Sequence, residues 1–79
     1  MKMSEMFAPV VRIKATGRYV FLLGWARDKR GAWHAHVAWL AREHVLWRGV
    51  DVWMRAVDLE PVPGQNYRRV PRYVEEPDF

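Results

Sequence analysis

The stretch that decides the fold consists of two apolar segments, Arg18-Tyr-Val-Phe-Leu-Leu-Gly-Trp-Ala-Arg27 and Ala32-Trp-His-Ala-His-Val-Ala-Trp-Leu-Ala41, separated by Asp28-Lys-Arg-Gly31. The connecting residues are polar and end in glycine, as is usual in turns. Large apolar side chains recur at two-residue spacing in both segments, which is typical of β-strands. The stretch therefore predicts a β-hairpin.

A turn at residues 28–31 fixes which residues of the two strands face each other. One face of the predicted hairpin is apolar and carries the pairs Ala26–Trp33, Gly24–Ala35, Leu22–Val37 and Val20–Trp39. The other face is aromatic and semi-apolar and carries the pairs Trp25–His34, Leu23–His36, Phe21–Ala38 and Tyr19–Leu40. Trp33 and Trp39 are thus predicted in the core. Gly24 leaves room for an indole from another strand or for a sharp bend.

Further strands are predicted on both sides of the hairpin. Residues 10–15 alternate between apolar and basic side chains. In residues 50–59, an apolar series of Val50, Val52, Met54 and Ala56 alternates with the mixed series Asp51, Trp53, Arg55 and Val57. The second of these strands is predicted to extend the apolar face, with Val52 beside Trp39 and Met54 beside Val37. Residues 42–49 are predicted to form a loop with some extended structure. A short strand of its own and a helix over 39–47 are the alternatives.

These elements predict a mainly β protein, a small curled antiparallel sheet or barrel with one short helical turn near the C-terminus, within residues 65–72. A chain of 79 residues has room for one domain. We expect residues 10–74 to form this single small β-domain. Residues 1–9 are predicted to be a flexible N-terminal arm, and residues 75–79 an acidic tail.

Short, strongly bent antiparallel strands followed by a proline-containing turn resemble the small Src-homology-3-like and Tudor-like β-barrels. Residues 17–59 carry this resemblance, in particular Gly24-Trp25, Trp33, Trp39 and Val52-Trp-Met-Arg-Ala-Val-Asp-Leu59. The resemblance implies a non-catalytic module that binds proline-rich peptides, methylated side chains, DNA or RNA. The acidic loop that accompanies proline-peptide binding in such barrels is replaced here by Asp28-Lys-Arg-Gly31, and fold analogy alone does not fix a function.

The distribution of charge points to a polyanionic partner. Residues 12–55 contain nine basic and three acidic side chains, and the whole chain has a formal net charge of +4. The predicted nucleic-acid contacts are Arg12, Lys14, Arg18, Arg27, Lys29, Arg30 and Arg48, with Trp25 or Tyr19 stacking on a base. The alternative interpretation is a solvated turn with ordinary surface charge.

The aromatic face of the hairpin predicts a partner of another kind. A sheet with two apolar faces must bury each of them against other residues, and this short chain has barely enough residues to bury one. Either the sheet curls into a barrel, or the second face contacts another protein or a second copy of the chain, giving a homodimer. The residues predicted for such an interface are Tyr19, Phe21, Trp25 and Trp53.

The three histidines are the candidate metal ligands of this sequence. His34 and His36 share one face of a strand, and the loop that follows would bring His44 near them. No Asp, Glu or Cys is placed by the pattern to complete a site, so packed histidines, no metal and no cofactor are predicted.

The sequence lacks the side chains that catalysis requires. Ser4 and Thr16 are its only serine and threonine, and no carboxylate pair faces inward by periodicity. A non-enzymatic protein is predicted, with a catalytic role for His34 or His36 as the alternative. Cysteine is absent and Glu5 interrupts any signal-peptide core, so we expect a cytoplasmic protein without a membrane partner.

Overall fold

The computed structural model describes residues 7–73, which form one antiparallel sheet of five strands. The strands are β1 (Val10–Ile13), β2 (Tyr19–Arg27), β3 (Trp33–Glu43), β4 (Leu46–Arg55) and β5 (Leu59–Pro61), with a 3-10 turn at Ala56–Asp58 between the last two. Their order in the sheet is β4-β3-β2-β1-β5. The prediction of a mainly β protein with an antiparallel sheet is confirmed. The sheet is open and does not close into a barrel.

The sheet is strongly curled because its two edge strands are consecutive in the chain. In a flat sheet of five strands, the outer strands would lie about 19 Å apart. The connection between β4 and β5 consists of the three residues Ala56–Asp58, and four residue steps span at most about 14 Å. The edges therefore approach each other at this connection, and one face of the sheet turns inward.

The core lies on this inner face. Its buried residues are Val11, Val20, Leu22, Ala35, Val37 and Leu59, and strand pairing brings them together as Val11–Val20 and Leu22–Val37. Tyr67 and Val70 from the segment after β5 pack against this cluster. The Tyr67 hydroxyl also donates a hydrogen bond to the carbonyl of Val10, which attaches that segment to β1.

A β-bulge at Leu23 changes the predicted register of the central hairpin. The pairs Phe21–Ala38 and Leu22–Val37 are as predicted, but the next pairs are Gly24–His36, Trp25–Ala35, Ala26–His34 and Arg27–Trp33. The extra residue moves every later side chain of β2 to the other face. Trp25 therefore lies on the inner face, and its predicted place on the outer, aromatic face was wrong. Gly24, predicted to leave room for an indole or a sharp bend, follows the bulge directly and lies against the ring of Tyr73.

The hairpin of β3 and β4 is longer than predicted and turns at His44 and Val45. Its pairing runs without interruption from Glu43–Leu46 to His34–Arg55. The loop predicted over 42–49 and the alternative helix over 39–47 were both wrong. The turn lacks the usual signal, because its first residue is His44 with a φ of 55°, where glycine is the common choice.

The register of β4 against β3 differs from the prediction by two residues. Val52 lies beside Val37 rather than Trp39, and Met54 lies beside Ala35 rather than Val37. A shift of two residues keeps each side chain on its predicted face, because strand side chains alternate with a period of two. The hydrophobic pattern alone therefore could not detect this shift.

The segment at residues 71–73 runs beside the second half of β2. The Trp25 N–H donates to the Pro71 carbonyl at 2.9 Å, and the Tyr73 N–H donates to the Trp25 carbonyl at 2.8 Å. Arg72 thereby forms a parallel bridge with Trp25. In the region predicted to hold a helical turn, 65–72, the Val70 N–H donates to the Tyr67 carbonyl in a single turn. The 3-10 turn lies earlier, at Ala56–Asp58.

Two parts of the predicted organisation lie at the ends of the chain. The acidic tail at 75–79 and most of the arm at 1–9 are outside the described residues. Within the arm, the carbonyl of Pro9 accepts a hydrogen bond from the Leu22 N–H at 2.8 Å. From residue 7 to residue 73, no helix is long and apolar enough to span a membrane.

Gly24→Ala is expected to destabilise the protein, because an added Cβ would lie 2.9 Å from the Cζ atom of Tyr73. The Tyr73 ring would have to leave its contacts with His36 and Trp53. We expect the free energy of unfolding, measured with urea, to fall by about 1–3 kcal/mol, the usual cost of overpacking.

Gly49→Ala in β4 is the matched control, since no atom lies within 4 Å of a Cβ at that position. Its effect should stay below about 0.5 kcal/mol. In a Tyr73→Ala background, the cost of Gly24→Ala should largely vanish. Equal stabilities of Gly24→Ala and Gly49→Ala would contradict this account.

Candidate nucleic-acid interface

The residues predicted to contact nucleic acid fall into separate places. Trp25 and Arg27 lie at the end of β2, and Lys29 and Arg30 lie in the turn that follows. The others lie in β1, in the connection from β1 to β2, or in β4: Arg12, Lys14, Arg18 and Arg48. The connection from β1 to β2 is at the opposite end of β2, so the predicted residues do not form one surface.

Three of the distant cations have contacts of their own. Arg12 forms an ion pair with Glu60 across the β1–β5 pairing. The hydrogen bond that Arg12 donates to the Glu60 carboxylate raises the pKa of Arg12. The Lys14 Nζ atom donates to a backbone carbonyl at 2.9 Å. Arg48 Nε lies 3.1 Å from Glu43 Oε2. Because the charges of Arg12 and Arg48 are shared with carboxylates, the cations at the β2–β3 turn are better candidates for binding an anion than these two.

The centre of the candidate site is the indole of Trp33, which has two guanidinium groups over its ring. Arg27 pairs with Trp33 across the hairpin, and its Cζ atom lies 5.3 Å from the ring centroid. The Cζ atom of Arg72 lies 5.2 Å from the same centroid. Both distances are within the range of cation–π attraction.

Trp33 is a surface residue, and its predicted place in the core was wrong. The ring is on the inner face but beyond the buried cluster, and 36% of the residue is exposed. The bulge at Leu23 is the reason, because it places Trp33 opposite Arg27 instead of Ala26. Trp39, the other tryptophan predicted in the core, packs against the buried cluster while it remains partly exposed.

A cleft of about 290 Å³ opens beside Trp33. Its lining consists of Trp25, Trp33, Ala56 and Arg72. Trp25 pairs with Ala35, so the two tryptophans are diagonal neighbours on the inner face. Ala56 is at the start of the 3-10 turn and contributes only a methyl group. The arrangement provides two aromatic walls with a cation at the rim.

We call this region the basic aromatic surface and define it by six residues: Trp25, Arg27, Lys29, Arg30, Trp33 and Arg72. Its four cations are exposed, and its two indoles line the cleft. Chemically, it can attract phosphate and stack on a flat ring.

The turn that presents Lys29 and Arg30 is held by Asp28. One carboxylate oxygen accepts the N–H groups of Arg30 and Ala32, each at 2.9 Å. The other oxygen lies 2.9 Å from His34 Nε2. These hydrogen bonds, above all the one with His34, lower the pKa of Asp28. The Asp28 carboxylate is therefore ionised at neutral pH, and its hydrogen bonds fix the conformation of the turn.

The second histidine, His36, belongs to a cluster on the outer face. Its Nε2 lies 2.7 Å from Asp51 Oδ2, and its Nδ1 lies 3.1 Å from the Tyr73 hydroxyl. The imidazole stacks on Trp53 with 5.0 Å between ring centroids, and Tyr73 meets Trp53 edge-on at 5.3 Å. This cluster attaches residues 71–73 to the sheet from the outer side.

Two of the three histidines lie beside a carboxylate, a contact that the strand pattern does not predict. Asp28 lies beside His34 and Asp51 beside His36, while His44 lies at the far turn of β3. Within residues 7–73, no group of three or more His, Cys, Asp or Glu side chains is placed to hold a metal ion.

The residues predicted for a protein interface are divided between both faces. Tyr19 and Phe21 are exposed on the outer face, 61% and 43% respectively, but Trp25 lies on the inner face and Trp53 stacks on His36. By strand alternation, Leu40 and Trp47 of the β3–β4 hairpin share the outer face with the first two. We call Tyr19, Phe21, Leu40 and Trp47 the outer apolar patch.

Two residues of this surface were not predicted from the sequence: Arg72 was not a candidate, and Trp33 was predicted in the core. Gly24 was a signal for the bulge that moves Trp33, since an isolated glycine in a strand often marks one. Arg72 had no local signal, because its position depends on the pairing of residues 71–73 with β2, more than forty residues earlier in the chain.

No family model, curated protein or solved structure matches this chain. The resemblance to small Src-homology-3-like and Tudor-like barrels stays a prediction.

Asp28→Asn is expected to destabilise the protein at neutral pH and to have little effect in strong acid. The lowered pKa of folded Asp28 means that its ionised form stabilises the fold above the unfolded pKa of about 3.9. That contribution is lost as the pH falls through the folded pKa, below this value. Urea midpoints of both proteins between pH 7 and pH 2 test this, and a constant difference across that range would contradict it.

Proposed function

We propose that this chain is a non-catalytic module that binds nucleic acid through the basic aromatic surface. The observation that carries the proposal is the exposed indole of Trp33, which has the guanidinium groups of Arg27 and Arg72 over its ring. Lys29 and Arg30 extend the positive charge into the neighbouring turn. Phosphates are attracted to such a group of cations, and bases stack on exposed aromatic rings.

The hydrogen bonds of His34 and His36, the two candidate catalytic residues, support a binding role over catalysis. Both ring nitrogens of His36 are hydrogen-bonded, one to Asp51 and one to Tyr73. His34 is bonded to Asp28, which organises the turn. The hydroxyl of Thr16 accepts the N–H of Arg18 within the connection from β1 to β2. These groups serve the structure of the sheet and its turns.

The proposal predicts a steep salt dependence of binding to a single-stranded oligonucleotide. Each phosphate contact with a single strand contributes about −0.7 to the slope of log K against log salt concentration, so four cations give a slope of about −3. In the double variant Lys29→Gln/Arg30→Gln, the slope should fall to about half that value. Fluorescence anisotropy with a labelled twelve-nucleotide strand measures both slopes.

The matched control is Arg18→Gln/Arg48→Gln, which removes the same net charge away from the basic aromatic surface. Its slope should stay close to that of the unmodified chain. Equal losses in the two double variants would show a response to net charge alone and would contradict the assignment of the site. No binding at low salt and micromolar protein would overturn the proposed function.

A second candidate function, contact with another protein or with a second copy of the chain, is favoured by the outer apolar patch. Leu40 and Trp47 are 64% and 67% exposed, and the turn between them adds Val45 at 83%. Tyr19, Phe21 and Leu40 also line a common groove. Large contiguous apolar patches on a protein surface mark interaction sites more often than not.

Light scattering over a concentration series tests self-association. If the outer apolar patch joins two copies, the measured mass should rise toward twice the 9.4 kDa of the chain at both low and high salt. In Leu40→Ser/Trp47→Ser, the mass should remain that of a single chain. A single-chain mass for the unmodified protein at all concentrations would exclude the homodimer.

A further inference from the structure

We propose that the cleft between Trp25 and Trp33 takes one unstacked nucleobase, so that the chain binds single-stranded nucleic acid in preference to a duplex. The inference rests on the proposed function and names its substrate class. Three features support this preference: the shape of the cleft, the charges at its rim, and the hydrogen bonds that hold its lining residues.

The size of the cleft suits one ring system. Its volume of about 290 Å³ is just below the range of typical ligand pockets, which is roughly 300–1,000 Å³. Two of its four lining residues are tryptophans, whose flat faces favour a flat ligand. A single nucleobase has the required shape, and stacking on an indole tolerates all four bases.

The positive charges of Arg27 and Arg72 at the rim favour an anionic ligand over a cationic one. Aromatic clefts can also bind quaternary ammonium groups, which are attracted by the negative faces of the rings. Here Arg27 and Arg72 already lie within 5.3 Å of the Trp33 centroid, so an incoming ammonium group would meet two like charges. A ligand that combines an aromatic ring with a nearby phosphate satisfies both the walls and the rim.

Backbone hydrogen bonds hold one side of the cleft, at Trp25 and Arg72. The backbone of Trp25 is bonded on both sides of Arg72, through its N–H to Pro71 and through its carbonyl to Tyr73. This holds the backbone of Arg72 beside the cleft. Tyr73 is in turn held by its contacts with His36 and Trp53 on the outer face. Preorganised sites lose less conformational entropy on binding.

A duplex can place a base in this cleft only if one base pair opens and the base leaves the stack. Its bases are paired and stacked, and extruding one of them costs a few kcal/mol. A single strand has no pairing to break. The same cations therefore attract both forms, but the cleft adds affinity for the single strand alone.

The experiment compares three labelled ligands of twelve nucleotides by fluorescence anisotropy: a thymidine strand, a duplex, and an abasic strand with the same phosphates and no bases. The thymidine strand should bind roughly 5- to 140-fold more tightly than the abasic strand, the gain expected for one stacked base. Trp33→Leu should remove this gain and leave the affinity for the abasic strand unchanged within about twofold. Trp47→Leu, which also removes an exposed tryptophan, should keep the gain.

The outcomes separate this inference from the proposed function. Equal affinities of the thymidine strand, the duplex and the abasic strand would overturn the nucleobase cleft while leaving nucleic-acid binding intact. Absence of binding to all three at low salt would overturn both. If circular dichroism shows that Trp33→Leu is unfolded, Ala56→Leu takes its place, because it fills the cleft without removing a tryptophan. Retention of the thymidine preference in Ala56→Leu would also overturn the inference.

Discussion

The three-residue connection between the two edge strands is the constraint on which the rest of this structure depends. Because Ala56–Asp58 must join β4 to β5 across the width of the sheet, the sheet curls and turns one face inward. The curl allows a small number of apolar side chains to enclose a core in a chain of 79 residues. It also brings Ala56 to the two tryptophans of the inner face, which completes the lining of the cleft.

A second feature, the bulge at Leu23, decides what the cleft is made of. It transfers Trp25 to the inner face and places Trp33 opposite Arg27. The same change brings Gly24 to the outer face, where the ring of Tyr73 fits against it because there is no side chain. One extra residue in β2 therefore sets both the aromatic walls and the place where residues 71–73 attach. Those residues then supply Arg72, the cation at the rim.

The two faces of the sheet present opposite chemistry. The basic aromatic surface combines four exposed cations with two indoles, and it suits a ligand that is both flat and anionic. The outer apolar patch is formed by Tyr19 and Phe21 of β2 together with Leu40 and Trp47 of the β3–β4 hairpin, and it suits an apolar partner. The two surfaces are separate, because they lie on different faces and opposite ends of β2 contribute to them.

The sequence by itself determined the class of fold, the strands β2 and β3, and the faces of β4, because alternation with a period of two is a local property of the chain. It also identified Trp25, Arg27, Lys29 and Arg30 as members of one candidate site. Tertiary structure alone decided the shift of β4 by two residues, the turn at His44 and the position of Arg72. The reason is physical: a shift of two residues preserves every face, and a pairing between distant segments leaves no periodic trace in either of them.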